Sequence, residues 1–174
     1  NHLLWQESEL IHNIISAYHY TGDNDWYMEG CTSGDNDNAI QKFHTVNSFI
    51  KVKPQKKSNY QSINKYVEKH KDNEVVPADI TPYDVTYNLH RHADHIIELL
   101  KNKRQDPSKT MQNFFSDMKA MAYLGKYYAY KIEGATELHK FRTLDTLKKE
   151  HQRYSVEALT QAGIYWKKYI TTIK

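Results

Sequence analysis

The chain has 174 residues, which is enough to bury one hydrophobic core without a disulfide or a structural metal. Its 24 basic and 21 acidic residues give a formal net charge of +3, and this near balance gives no electrostatic reason to expect a nucleic-acid partner. The mean hydropathy is -0.83, and no run approaches the roughly 18 apolar residues that a membrane-spanning helix needs.

The single cysteine and the first residues bound the context of the chain. Cys31 has no second cysteine with which to form an internal disulfide, so cysteine content leaves the redox compartment open. The chain starts with Asn1 rather than Met, and an amphipathic pattern is already under way at residues 3–5. We therefore expect residues 1–174 to form one helical domain that is the C-terminal fragment of a longer protein.

The first predicted helix covers residues 3–20, where apolar side chains recur at helical spacing, and Gly22 is expected to end it. Residues 21–38 then change to Asp, Asn, Gly, Ser and Thr around the aromatic pair Trp26 and Tyr27. This composition predicts a long loop with local turns. A loop of that length inside one domain is typically functional or ordered by its own aromatic anchor.

Two shorter helices and one strong start signal follow. A short helix is predicted within residues 39–52, and another is predicted over residues 58–70 with Ser58 as its N-cap. Thr81 and Asp84 flank Pro82 at the spacing of a capping box, so a long helix should begin there and continue to about Lys103.

The longest helical pattern lies in residues 113–138 and defines the expected centre of the fold. Small residues lie along one seam of that pattern, where they would admit close neighbours: Ala120, Ala122, Gly125 and Ala129. A polar break after Leu138 should lead to a last helix over residues 144–173. We predict an all-α fold, an antiparallel bundle of about four to five helices with one long ordered loop. The sequence shows no strand pattern of any length.

Three histidines lie close together in the long helix, at His90, His92 and His95. His92 and His95 are roughly 60° apart around a helix, whereas His90 lies on another side. A metal site on this pair would need a third ligand from a neighbouring helix, for which the candidates are Glu133, His139 and His151. The favoured interpretation is that His92 forms a hydrogen bond in a helix interface while His90 and His95 are solvated. No cofactor is predicted.

The polar loop offers a candidate sugar contact. Trp26, Tyr27 and Glu29 combine aromatic faces, which suit the C–H faces of a sugar, with a carboxylate that can bind hydroxyls. The alternative is that Trp26 only anchors the loop to the bundle. The other two tryptophans, Trp5 and Trp166, lie on apolar faces and are expected in the core.

Other chemistries receive weaker support from the sequence. Residues 35–38 begin like a calcium loop, but Ala39 occupies the third ligand position and no glycine follows it, so a solvated loop is favoured. Cys31 could act as a nucleophile only with a histidine beside it, and His44 is the nearest in sequence. A structural cysteine is the preferred interpretation, and no catalytic residue is predicted.

Four segments resemble a known family: residues 5–11, 25–31, 43–46 and 117–132. Together they resemble a helical C-terminal region of large secreted proteins of glycan-degrading Gram-negative bacteria, which include glycoside hydrolases and carbohydrate-binding proteins. The resemblance implies a secreted or periplasmic location and a catalytic domain that precedes this region in the same chain. It transfers no catalytic residue to a numbered position.

The sequence thus predicts a non-catalytic helical accessory module of a glycan-processing protein. Such a module would support or complete a carbohydrate-binding cleft or an oligomer interface, with carbohydrate or a second copy of the chain as a partner. The alternatives are a helical metal-dependent enzyme that uses His92 and His95, and a protein-interaction bundle unrelated to glycans. Neither nucleic acid nor a membrane span is expected.

Overall fold

A computed structural model describes residues 1–19, 26–34, 42–71, 79–101 and 108–173, and it confirms the all-α class. Within these residues there are six helices and three two-residue strands: α1 His2–Tyr18, β1 Trp26–Tyr27, β2 Thr32–Ser33, β3 Lys42–Phe43, α2 Val46–Lys51, α3 Ile63–Lys71, α4 Pro82–Lys101, α5 Lys109–Thr143 and α6 Lys148–Thr172. None of the described helices has the length and apolar character that crossing a membrane requires.

Helix α5 is the predicted central helix, and α1, α2, α3, α4 and α6 all pack against it. Its small residues face inward as predicted, because Ala122 and Ala129 are fully buried and Gly125 lies against the side chain of Ile11. The helix is longer than predicted. It continues past Leu138 to Thr143, so the expected break lies five residues later, at residues 144–147.

The capping box predicted at the start of α4 is present. The Thr81 amide donates to Asp84 Oδ2 over 2.9 Å, and the Asp84 amide lies 3.2 Å from Thr81 Oγ1. These two bonds satisfy backbone donors that the first helical turn leaves free. Thr81 and Asp84 therefore fix where α4 begins.

The predicted start of α3 at Ser58 is wrong. Its hydroxyl instead donates to the carbonyl of Gln55 within a turn, over 2.7 Å. Residues 59–61 are held extended because the backbone of Ile80 bonds on both sides of Tyr60 in a parallel bridge. The helix can begin only beyond this bridge, at Ile63.

Trp5 was expected in the core, and this prediction is wrong. The buried face of α1 includes Leu4, Ile11 and Ile15. Trp5 follows Leu4 directly in the sequence, so its side chain lies on another side of the helix, and 56% of its surface is exposed. Trp166 is partly buried as expected, and its ring centroid lies 4.8 Å from that of Tyr127.

The sequence shows no strand pattern, but three two-residue strands, two of them in the predicted loop, form a small antiparallel sheet in the order β1, β2, β3. Trp26 pairs with Ser33, and Ser33 pairs with Lys42. Two-residue strands are too short for an alternating pattern to show in the sequence. The sheet is tied to the bundle by Tyr128, whose hydroxyl donates to the carbonyl of buried Met28 over 2.9 Å. The other parts of this predicted loop, residues 21–25 and 35–38, lie outside the described residues.

Candidate functional site

A cleft of about 960 Å³ opens between α4, α5 and α6. Next to the cleft, α5 and α6 approach closely because Gly134 has no side chain and leaves room for Leu159. The carbonyl of Gly134 also accepts a 2.9 Å hydrogen bond from Ser155 Oγ. The lining combines tyrosine rings, carboxylates, and hydroxyl, amide and small apolar groups: Tyr83, Tyr130, Tyr154, Glu133, Glu137, Glu157, Thr160, Gln161, Val156 and Ala158. Its volume lies toward the upper end of the roughly 300–1,000 Å³ of ligand pockets.

The tyrosine rings of the cleft are oriented by neighbouring side chains. Tyr130 stacks on Tyr165 with ring centroids 5.5 Å apart and meets the His90 ring edge-on at 4.5 Å. Burial raises the pKa of Tyr130, so its hydroxyl stays protonated and able to donate. Tyr154 is 47% exposed at the rim of the cleft, where the Arg153 guanidinium lies 4.3 Å from its ring centroid.

Glu137 is the buried carboxylate of the cleft and has three partners. Tyr83 donates its hydroxyl to Oε1, His151 Nδ1 lies 2.6 Å from Oε2, and Lys140 Nζ lies 3.7 Å from Oε1. Burial, followed by the bond to Glu137, raises the pKa of Tyr83 well above its usual range, so this hydroxyl remains a donor. The arrangement stabilises a buried negative charge with three converging groups.

The other two carboxylates are less buried. Glu133 lies one helical turn before Glu137, and its Oε1 is 3.1 Å from His90 Nε2. Glu157 is exposed and accepts from Arg153 over 2.8 Å. These oxygens can accept hydrogen bonds from ligand hydroxyl or ammonium groups.

Sequence reasoning did not identify this cleft. The sequence identified Glu133 only as a candidate metal ligand, and it singled out neither Tyr83 nor Glu137. The available signal was the pair of glutamates that flank Gly134 on an otherwise inward-facing helix. Which helices would face that pair depends on packing, so the pattern alone could not show a cleft.

The residues predicted to contact sugar lie in the small sheet instead. Tyr27 is 56% exposed and Glu29 is also exposed, while the side chain of Trp26 lies outside the described part of the chain. Neither Tyr27 nor Glu29 is among the described residues that line the cleft. Sugar contact by these three residues stays a prediction.

His92 is buried in a helix interface as predicted, and its partner is Glu7 of α1. Nδ1 of His92 bonds one oxygen of Glu7, and Nδ1 of His95 lies 2.9 Å from the other. The Arg91 guanidinium, which can only donate, is 3.0 Å from His92 Nε2, so that nitrogen accepts and Nδ1 carries the proton. His95 is largely exposed, whereas His90 is not simply solvated, because it contacts Glu133 and Tyr130.

The three residues considered as a third metal ligand are engaged elsewhere in the fold. Glu133 pairs with His90, His151 pairs with Glu137, and His139 Nε2 lies 2.8 Å from Asn64 Oδ1. Among the described side chains, no group of three or more His, Cys, Asp and Glu residues is arranged to hold a metal ion. The candidate calcium loop, residues 35–38, lies outside the described ranges.

Cys31 is fully buried beside Lys131, and its Sγ lies 4.0 Å from the carbonyl oxygen of His44. The imidazole of His44 lies between His19 and Ser33, with both contacts at 2.7 Å. Lys131 Nζ lies 3.5 Å from Cys31 Sγ and donates to the His44 carbonyl over 2.6 Å. Burial lowers the pKa of Lys131, although the neighbouring Cys31 opposes that shift. These contacts tie the small sheet to α5.

The comparisons with known proteins do not assign the chain to a family. No family model matches it, and no curated protein or solved structure is significantly similar to it. The fold and the cleft therefore define its class: an all-α bundle that carries a small antiparallel sheet and a cleft rich in tyrosine and glutamate.

Proposed function

We propose that the chain is a non-catalytic helical accessory module of a glycan-processing protein, and that the cleft between α4, α5 and α6 binds carbohydrate. The observation that supports this most directly is the composition of the cleft wall. Three tyrosine rings stand beside glutamates, a threonine and a glutamine. Sugars bind to such surfaces because their C–H faces lie on aromatic rings while their hydroxyls reach polar side chains.

The placement of the carboxylates favours binding over hydrolysis. Glu133 and Glu137 extend from successive turns of α5, so these two approach a ligand from the same wall, whereas Glu157 of α6 is exposed and paired with Arg153. Glycoside hydrolysis commonly needs two carboxylates that flank the scissile bond. Glu137 is moreover occupied by Tyr83, His151 and Lys140, which suits a fixed acceptor better than a group that must exchange a proton.

The wider context of the proposal comes from the family resemblance of the sequence. It adds a catalytic domain that precedes this module in the same chain and a secreted or periplasmic location. In that arrangement the module would hold the glycan while the preceding domain acts on it. A second copy of the chain remains a further candidate partner.

A binding measurement on the 174-residue chain tests the proposal. Isothermal titration calorimetry with a panel of oligosaccharides should show saturable binding, and no reducing ends should be released on prolonged incubation. Tyr154→Ala should weaken that binding about tenfold, because it removes one aromatic wall of the cleft. Tyr87→Ala is the matched control, since Tyr87 is 67% exposed on α4 and is not one of the described residues lining the cleft.

Three results would contradict the proposal. Turnover of a glycan by this chain alone would make it an enzyme. Equal weakening by Tyr87→Ala would place the sugar outside the cleft. Absence of binding across the panel would favour an interaction bundle unrelated to glycans.

A further inference from the structure

We infer that the cleft is selective for a cationic carbohydrate, an oligosaccharide that carries free amino groups, over neutral or acidic sugars. This inference rests on the proposed carbohydrate-binding function and names the class of ligand for the same cleft. It is supported by the signs of the charges along the cleft wall, by the tyrosine rings between them, and by the size of the cleft.

The charged residues that line the cleft are all acidic. Glu133, Glu137 and Glu157 contribute carboxylates, and among the described lining residues there is no lysine, arginine or histidine. The basic partners of Glu137, Lys140 and His151, are not among the described lining residues, and their side chains are only 11% and 12% exposed. The charged side chains of the cleft wall are therefore carboxylates, and the exposed Arg153 guanidinium lies at the rim beside Tyr154.

The partners of these glutamates do not cancel the negative charge at neutral pH. Lys140 balances the charge of Glu137, and Arg153 balances the charge of Glu157. Lys140 and Arg153 are the permanently charged cations among the described ion-pair partners of the three glutamates. The described partner of Glu133 is a histidine, His90, and not a lysine or an arginine. Glu133 is thus the carboxylate whose charge a ligand ammonium can best complement.

The tyrosine rings favour the same sign of charge. An ammonium group is attracted to the face of a tyrosine ring, and this attraction strengthens where water is excluded. Protein cations already lie on such faces here, because Lys140 Nζ is 4.7 Å from the ring centroid of Tyr83 and Arg153 lies over Tyr154. Burial raises the pKa of Tyr130, so its ring stays neutral and adds no charge of its own.

The cleft suits a sugar better than a simple amine. Its volume of about 960 Å³ is large for a small cation. Thr160 and Gln161 add a hydroxyl oxygen and an amide along α6, and the N–H donors of the amide can find acceptors on a sugar but not on a fully protonated polyamine. An acidic sugar would bring its own carboxylates against Glu133 and Glu157.

The test compares four ligands by calorimetry on the 174-residue chain at low ionic strength and neutral pH. These ligands are a β-1,4-linked glucosamine tetramer, cellotetraose, a galacturonate tetramer and spermidine. Cellotetraose is the matched neutral ligand because it carries hydroxyls where the glucosamine tetramer carries ammonium groups. We expect the glucosamine tetramer to bind at least tenfold more tightly than cellotetraose and to weaken as salt is added.

A matched pair of variants locates the charge effect. Glu133→Gln should weaken glucosamine-tetramer binding most, Glu157→Gln should weaken it several-fold, and both should leave cellotetraose binding nearly unchanged. Glu98→Gln is the control, because Glu98 forms a similar exposed pair with Lys101 within one turn of α4 and is not one of the described lining residues. Glu157 and Glu98 are both exposed, so neither Glu157→Gln nor Glu98→Gln should impair folding.

Each outcome separates the inference from the proposed function. Equal affinity for the glucosamine tetramer and cellotetraose would overturn the inference and leave carbohydrate binding intact. Tight binding of the galacturonate tetramer would also overturn it, as would equal effects of Glu157→Gln and Glu98→Gln. Spermidine binding as tight as that of the glucosamine tetramer would show a cation site without sugar selectivity. Failure of all three sugars to bind would remove the proposed function itself.

Discussion

At the scale of single residues, Glu7 is the polar group that joins the start of the chain to the middle of α4. It is 8% exposed and bonds both His92 and His95. Burial by itself raises the pKa of Glu7, but the hydrogen bonds of His92 and His95, and their charges once they are protonated in acid, outweigh it and hold the pKa below the ordinary value of 4.5. The ionised carboxylate is therefore the form that the fold stabilises.

Glu7→Gln should lower the free energy of unfolding at neutral pH by about 1–3 kcal/mol, because it weakens two hydrogen bonds to a buried charged group. A lowered folded-state pKa stabilises the protein above the ordinary value of 4.5 and ceases to do so as pH falls through the folded value. The difference in the free energy of unfolding between Glu7→Gln and the original chain should therefore become smaller in strong acid. Urea unfolding at several pH values measures it.

Glu9→Gln is the control for this prediction, since Glu9 lies on the same helix with its side chain exposed. It should leave the unfolding free energy nearly unchanged at every pH. An equal loss in both variants would mean that helix α1 responds to net charge rather than to the contact between Glu7 and the two histidines.

At the scale of elements, Gly134 governs how closely α5 and α6 can approach each other. A Cβ atom at this position would lie 2.6 Å from Leu159 Cγ and 3.2 Å from the backbone nitrogen of Leu159. The side chain of Leu159 can rotate, but the α6 backbone cannot move without disturbing the hydrogen bond from Ser155 to the Gly134 carbonyl. The same contact positions α6 beside Glu133 and Glu137, so it also shapes the cleft.

Gly134→Ala should destabilise the protein by about 1–3 kcal/mol through overpacking. Gly163→Ala is the matched substitution in α6, where a Cβ would meet nothing within 4 Å. It should stabilise the protein by about 0.5–1 kcal/mol, because alanine loses less backbone entropy than glycine in a helix. Thermal and urea unfolding of both variants measures the opposite signs. A neutral Gly134→Ala would mean that the two helices can separate at little cost.

At the scale of the whole molecule, the stability should depend on pH through histidines that the fold keeps neutral. Burial lowers the pKa of His19 to about 3, with the charges of His44 and Lys131 adding to the effect. Burial and Lys131 also lower the pKa of His44. Both rings have an ordinary value of 6.5 when they are exposed.

Below pH 6.5 the two histidines therefore bind protons in the unfolded chain but not in the folded chain, so acid favours unfolding. We expect the free energy of unfolding to be constant near neutrality and to fall below pH 6.5, with a slope of up to about 1.4 kcal/mol per pH unit for each histidine. Proton uptake on unfolding at pH 5, followed by potentiometric titration in urea, measures this directly. His12→Gln, at an exposed position of α1, should leave the slope unchanged. A flat profile between pH 6.5 and pH 5 would contradict the prediction.

Several features could be predicted from the sequence because their causes lie within one or two helical turns. The capping box of Thr81 and Asp84 fixed the start of α4, and the small residues of α5 indicated its central place before any contact was known. The burial of His92 followed in the same way from its position beside the apolar stripe. Together these local patterns were sufficient to predict an all-α bundle.

The tertiary structure decided what brings distant segments together. Helix α3 begins at Ile63 and not at the predicted Ser58, because a backbone bridge to Ile80 holds the intervening residues extended. Glu7 forms a hydrogen bond with His92, which lies 85 residues later in the sequence. The cleft likewise combines side chains of three helices whose neighbours are set by packing. Periodicity shows which face of a helix is apolar, but it does not show which helix covers that face, so the partner of Glu7 and the walls of the cleft depended on the packed fold.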